Sequence, residues 1–169
     1  ISNKSNDYIK NSFDVALKIL SKKITNKFIN GPISKKFFLK KKYLGITEYL
    51  AKKTKTKNFV MLIYNKELSV SPLTTHLPIK KVSKNIKKDT IKRKIKLINN
   101  FYKDYLKIKP KIGVTGLNPH CESIDAFNED EKIIKPAIKS LVKSNYRLFG
   151  PFASDTIYLK KNRTKYDVI

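Results

Sequence analysis

Few residues in this chain can do metal or acid–base chemistry near neutral pH. There are two histidines, His76 and His120, and one cysteine, Cys121. Neutral imidazole is the commonest metal ligand and the side chain that ordinarily titrates near pH 7. His76 stands in Thr74-Thr75-His76-Leu77-Pro78 and His120 in Gly116-Leu117-Asn118-Pro119-His120. Each follows a segment that reads as a strand, and loops at the carboxyl ends of parallel strands can converge on one ligand. One chemistry open to them is therefore a shared divalent cation. A catalytic zinc-type site takes about three protein ligands and keeps one position open, whereas this chain offers two histidines, with Cys121 a poor third. On spacing alone, two unrelated loop histidines are the default and the shared ion is the alternative. A single cysteine can form neither an internal disulfide nor a cysteine-only metal site, and it fits a reducing cytoplasm. No G-x-G-x-x-G or P-loop pattern occurs, which excludes a standard Rossmann fingerprint and a Walker nucleotide site.

The elements that must position these residues alternate between two periods. Ile9, Phe13, Ala16, Leu17 and Leu20 recur at helical spacing and predict an amphipathic helix over 6–23. Lys27-Phe28-Ile29 reads as a short strand that stops at the turn Asn30-Gly31-Pro32. A second helix begins near Thr47. Phe59 to Tyr64 reads as a buried strand, with Leu68 to Thr74 as its hairpin partner. From Ser83, taken as an N-cap, the residues Ile86, Ile91, Ile95, Ile98 and Tyr102 predict one long helix ending near Leu106. Lys111 to Gly116 is the next strand. Glu129, Asp130 and Glu131 then open a helix running to Lys143, with carboxylates at its positive end. Tyr146 to Phe149 and Tyr166 to Ile169 are further strands. Alternating strands and helices imply an α/β sandwich with a mainly parallel sheet. No repeat, linker or composition shift marks a domain boundary, so residues 1–169 read as one piece of a single chain. It begins at Ile1 and stops in an apolar strand, and the expectation is an α/β fold truncated at both ends, the interior of a longer protein.

Charge is the loudest compositional feature and says little about function. The net charge is +25, but of 38 basic residues only Arg93, Arg147 and Arg163 are arginine. Proteins that read phosphates and bases favour arginine's planar fork. Lysine spread over nearly every segment beside abundant Ile and Asn fits an A+T-rich coding sequence and solvated helix faces. No specific nucleic-acid partner is expected, although a non-enzymatic basic binding module is the reading that charge alone would suggest. No apolar run approaches the roughly 18 residues a membrane span needs, so no membrane partner is expected.

Five motifs, in order, and a sixth, shorter stretch at Tyr166-Asp167-Val168 resemble the 4-hydroxythreonine-4-phosphate dehydrogenase family of vitamin B6 biosynthesis. Gly116-Leu117-Asn118-Pro119-His120 and Gly150-Pro151-Phe152-Ala153-Ser154-Asp155-Thr156 carry the resemblance first. Thr74-Thr75-His76-Leu77-Pro78 looks like the family's T-T-H-L-P metal loop. Asn30-Gly31-Pro32-Ile33-Ser34-Lys35 is similar to its G-P-I-N-K turn, and Gly45-Ile46-Thr47-Glu48 to its G-H-T-E substrate segment. Tyr166-Asp167-Val168 resembles the stretch that runs on into a Y-H-D-Q motif. Each motif is weak alone; their order along the whole chain is specific.

The resemblance implies a fold like isocitrate and isopropylmalate dehydrogenases, which bind NAD without a G-x-G-x-x-G loop. It implies oxidation of a secondary alcohol with NAD (or NADP), then decarboxylation, on 4-phosphohydroxy-L-threonine. His76 and His120 would be two of three ligands of a divalent cation (Zn, Mg or Co), the third lying beyond Ile169. Thr47 and Lys35 would contact the phosphorylated hydroxy-acid substrate, and Asp155 would be catalytic, a helix cap being its bland alternative. Residues binding the nicotinamide fall outside the motifs present. The resemblance further implies a homodimer with shared active sites, to which Leu68–Pro78 would contribute because its strand pair has no evident covering helix. Two departures stand at the substrate pocket: Ile46 replaces the family's histidine, and Cys121-Glu122-Ser123-Ile124-Asp125 replaces a Gly-rich stretch. A related phosphorylated sugar acid is therefore the alternative substrate.

Overall fold

A computed structural model describes residues 3–39 and 42–169, and the side chains of all of these except 3, 4, 35 and 36. The chain divides into two compact units, with the boundary between Lys57 and Asn58.

In the first unit the apolar stripe of the opening segment forms helix α1, Asn3–Ser21. Lys23, in the left-handed region at φ 58°, ends it, a usual way to stop a helix. Short helices α2, Lys35–Phe38, and α3, Ile46–Lys53, follow. Phe13, Leu39 and Tyr49 form the buried centre, with Phe28, Phe38, Tyr43 and Ile46 packed around it. Phe13 meets Phe28 and Tyr49 edge-on, at 5.5 and 5.3 Å between ring centroids, a favoured aromatic geometry. The strand expected at Lys27–Ile29 does not form. Phe28 is instead an anchor for the aromatic cluster, while Ile29 is 94% exposed; two apolar residues with no paired strand cannot hold an extended ladder.

The second unit is built on a mainly parallel sheet. Strand β1, Ile112–Thr115, pairs in parallel with β2, Leu148–Phe152. On its other side Ile112 bridges in parallel to Val168, which is in turn held by Ser69; Ile63 and Val70 close an antiparallel hairpin outside that. The order across the sheet is thus the hairpin, the 167–169 segment, β1 and β2. Helix α5, Lys88–Phe101, and helix α6, Lys135–Lys143, pack on one face through Ile91, Ile95, Ile98, Ala137, Ile138 and Leu141, meeting Ile112, Leu148 and Val168. On the other face, Gly113 leaves room for Ile157 and Tyr166, which a Cβ there would meet at 3.2 Å. This is an α/β fold with a parallel sheet, as the alternation of periods predicts.

Three local differences from the sequence reading have physical causes. The expected helix from Ser83 to Leu106 is broken: α4, Val82–Asn85, ends at an extended Ile86, and α5 starts after Lys87. Ile86 to Ile91 is a five-residue step, out of phase with the four- and three-residue steps that follow, so Ile86 reaches the core only if the helix breaks. Ser83 therefore lies inside α4 and caps nothing. The helix then finishes in a wide turn, Tyr102–Leu106. Second, the 59–64 segment is buried on one side only. Val60 and Leu62 pack on the core, whereas Ile63 and Tyr64 are 56% and 49% exposed. Third, the hairpin is not uncovered as expected, because Val60, Leu62 and Leu73 lie against the core that α5 builds.

Candidate metal and substrate site

The segments leading to His76, His120 and Asp155 leave the sheet at one edge. The 69–71 segment, β1 and β2 all run parallel to the 167–169 segment or to one another, so their carboxyl ends share a side. This is where ligands sit in such sheets. The strands before His76 and His120 stand two places apart, about 10 Å at usual strand spacing, with the 167–169 segment between them.

Both imidazoles are exposed, and both are carried on strained backbone. Seven described non-glycine residues have positive φ: Lys23, Lys55, His76, Lys107, His120, Cys121 and Asn145. Lys23, Lys55, Lys107 and Asn145 each follow a helical segment, where a left-handed residue is an ordinary terminator. The other three are the two histidines, at φ 56° and 55°, and the cysteine beside one of them. Such conformations cost about 1–3 kcal/mol each and gather at active sites and ligand clamps.

Each histidine loop is also tied to a helix by a charged side chain. Lys94 of α5 donates from Nζ to the carbonyl of Leu73 at 2.8 Å, just before the Thr74–Pro78 loop. Asp130, fully buried, accepts the backbone N–H of Leu117 at 2.8 Å and that of Asn118 at 3.0 Å. Neither residue was singled out from sequence for this role. Both carried a signal: Lys94 lies in the Ile91–Ile95–Ile98 stripe, and Asp130 four positions before Ile134, so each is a charge on a helix's apolar face. Asn128, not the acidic run, caps this helix, its Oδ1 accepting the N–H of Asp130 at 2.8 Å.

Between the tied loops lies a cavity of about 340 Å³, with Ser71, Thr74, Thr115 and Gly116 at its polar side and Ile91, Ile95 and Ile98 among its apolar walls. Across from β1, a one-residue bulge in β2 makes Thr115 face Phe152. Gly150, at φ 122°, permits that bulge: a Cβ there would lie 2.3 Å from the Val114 carbonyl oxygen. Asp155 follows β2 at the same edge. It is exposed, caps no helix and makes no hydrogen bond or ion pair among the described residues.

Among the described residues no group of three His, Cys, Asp or Glu side chains is arranged to hold a metal ion. Two accessible imidazoles at one sheet edge fit part of such a donor set. Burial, and then the negative charge of Asp130, push the Cys121 thiol up. In the first unit, Thr47 is half-buried in the opening turn of α3, next to Ile46, whose side chain packs on the Phe13–Tyr49 cluster. Lys35 opens α2, and its side chain lies outside the described residues.

The model of the family described as pyridoxal phosphate biosynthetic protein PdxA matches residues 1–169. This chain belongs to the PdxA family. A 4-hydroxythreonine-4-phosphate dehydrogenase of Sulfurihydrogenibium sp. (strain YO3AOP1) is 37% identical over 147 residues, covering 85% of this chain and 46% of that protein. A D-threonate 4-phosphate dehydrogenase of Pectobacterium atrosepticum is 30% identical over 128 residues, 75% of this chain and 39% of that protein. The crystal structure of 4-hydroxythreonine-4-phosphate dehydrogenase from Klebsiella pneumoniae superposes with a TM-score of 0.65 at 28% identity, covering 75% of this chain and 39% of that one. The chain thus spans less than half the length of the PdxA relatives it matches. Among the described residues no helix is long and apolar enough to cross a membrane.

Proposed function

We propose that the whole protein is an NAD-dependent dehydrogenase that oxidises and decarboxylates 4-phosphohydroxy-L-threonine in pyridoxal phosphate biosynthesis. The observation that carries this is the pair of exposed histidines held in left-handed backbone, on loops leaving one edge of a parallel sheet. The names of the relatives support the substrate class. His76 and His120 would hold a divalent cation (Zn, Mg or Co) together with a third donor entering after Ile169, beside the strand that separates them. Such an ion, when bound, acidifies an alcohol and stabilises negative charge on oxygen. The chain's own part is to carry both histidines in left-handed backbone on loops at that edge and to line the neighbouring cavity with Thr74 and Thr115. Asp155, unpaired at the same edge, is suited to take the proton that the alcohol loses as hydride leaves for the nicotinamide. Thr47 and Lys35 would bind the substrate and its phosphate, as the family resemblance implies. The lysine-rich surface is solvated and needs no nucleic-acid partner, and the cytoplasm is its expected location. A homodimer fits the open side of the hairpin, where Ile63 and Tyr64 are exposed; sedimentation of the whole protein as a monomer at micromolar concentration would refute it.

A second substrate, D-threonate 4-phosphate, is favoured by one relative's activity and by Ile46. The test measures NAD reduction by the whole protein with each compound. Turnover of the hydroxythreonine phosphate should dominate, and His76→Ala and His120→Ala should each cut kcat/KM by more than about a hundredfold, since even outer-shell partners of a metal are worth about 10–100-fold. The 169 residues alone should give no turnover. Unchanged activity in both histidine variants would refute the proposal, and preference for the threonate would select the second substrate. In that case Ile46→His should shift preference back.

A further inference from the structure

We infer that Asp130 is a positioning residue for His120, presetting the left-handed loop that would present the imidazole to a divalent cation. This rests on the reading of His120 as a metal ligand. The carboxylate is fully buried, and the ion pairs among the described residues do not include it. A buried charge without a counter-ion persists only if hydrogen-bond donors replace water. Here three donors do so, and all three belong to the loop: the N–H of Leu117 on Oδ1, and the N–H and Nδ2 of Asn118 on Oδ2, the last at 2.9 Å. The helix supplies the charge and the loop supplies the donors, so each needs the other.

The tie passes from Asn118 to His120 within two residues. The N–H of Cys121 donates to the Asn118 carbonyl at 3.0 Å, and that of Glu122 to the Pro119 carbonyl at 3.1 Å. Pro119 has a fixed φ. His120 is therefore bracketed by an anchored, extended Asn118 and by Cys121, and His120 and Cys121 are themselves left-handed at φ 55° and 63°. Strained backbone of this kind persists only where the surroundings over-determine it. On the helix side, Asn128 fixes the N–H of Asp130 itself, so the anchor is rigid at both ends.

The experiment compares the whole protein with its Asp130→Asn and Asn118→Ala variants, with Glu131→Gln as a control on the exposed side of the same turn. Amide exchange of the peptide spanning 116–121 and Zn²⁺ affinity by competition with a chromophoric chelator are the readouts. Asp130→Asn puts an amide donor against three donors. It should speed exchange at Leu117 and Asn118 at least about tenfold and weaken Zn²⁺ about 10–100-fold, as loss of an outer-shell partner does. Asn118→Ala, altered on the loop and not in the helix, should weaken Zn²⁺ by about 3–10-fold even if Asp130→Asn fails to fold, within the same range of effects. Glu131→Gln should change neither. Unchanged exchange, or faster exchange with Zn²⁺ affinity within about twofold of wild type in every folded variant, would overturn the inference alone. Equal Zn²⁺ affinity in wild type and His120→Ala would overturn the metal reading and this inference with it.

Discussion

Replacing Gly116 by alanine should be among the most damaging single-methyl additions in the chain. Its backbone is not in the left-handed region, so the penalty comes from space alone. A Cβ would stand 2.5 Å from Cys121 Sγ, 2.7 Å from Asp130 Oδ1 and 3.2 Å from Cys121 Cβ. Relief requires movement of about 1 Å, since non-bonded carbon prefers roughly 3.5–4.0 Å. Asp130 cannot move that far without stretching its hydrogen bonds to Leu117 and Asn118. Each bond to a charged group is worth about 1.5–3 kcal/mol, and overpacking costs about 1–3 kcal/mol. We expect roughly 2–4 kcal/mol of destabilisation in urea unfolding, read as a lower midpoint with an unchanged slope. Cys121→Ala in the same chain removes the nearest obstacle and should recover at least about 1 kcal/mol, the coupling expected of residues in contact. A Gly116→Ala protein within about 0.5 kcal/mol of wild type, or a double variant no better than the single one, would refute the packing described here.

Gly150→Ala combines positive φ with a Cβ 2.3 Å from the Val114 carbonyl; it should cost more than Gly116→Ala in the same unfolding assay. Tyr102→Phe removes a hydroxyl that donates to Ser69 Oγ at 2.9 Å and lies 3.1 Å from the Asp167 carbonyl, and should cost about 1–2 kcal/mol by the same measure. Because burial and then Asp130 push the Cys121 thiol up, less thiolate is present at any given pH. Its alkylation by iodoacetamide should rise only above the pH range of an ordinary thiol, and Asp130→Asn should move that rise downward. A rate profile unchanged by Asp130→Asn would show that the carboxylate does not act on the thiol.

Periodicity made most of the second unit legible in advance. Ile91, Ile95, Ile98 and Tyr102 are spaced as helix residues and are all buried, and β1 and the 166–169 segment fall where apolar runs meet turn signals; β2, Leu148–Phe152, instead runs on through Gly150-Pro151, where the sequence places the end of a Tyr146–Phe149 strand. Ile86 shows the limit of that method. It is buried as its residue type suggests, but its phase is wrong for the helix that follows. Phe28 shows another: an aromatic residue can bury itself against a helix without belonging to any element. For the site, the histidine loops were readable because Thr-Thr-His-Leu-Pro and Gly-Leu-Asn-Pro-His are distinctive strings. The residues that hold those loops were not. Lys94 is one of many lysines and Asp130 one of three consecutive acids; what distinguishes them is the loop backbone each one reaches, which depends on how their helices meet the sheet.

The position of the 167–169 segment also sets an order of events during synthesis. Val168 is completely enclosed, joined to Ser69 on one side and to Ile112 on the other. Without it the hairpin and the β1–β2 pair are two separate ribbons with an empty slot between them. The slot is filled by residues that leave the ribosome after every other strand described here, and closing so long a loop is entropically unfavourable until both neighbours reward it. A nascent chain stalled just short of Tyr166 would therefore present two unsatisfied strand edges, the kind of surface that recruits chaperones or pairs with another copy. The two histidine loops would come into register only once this strand locks in place between their parent strands.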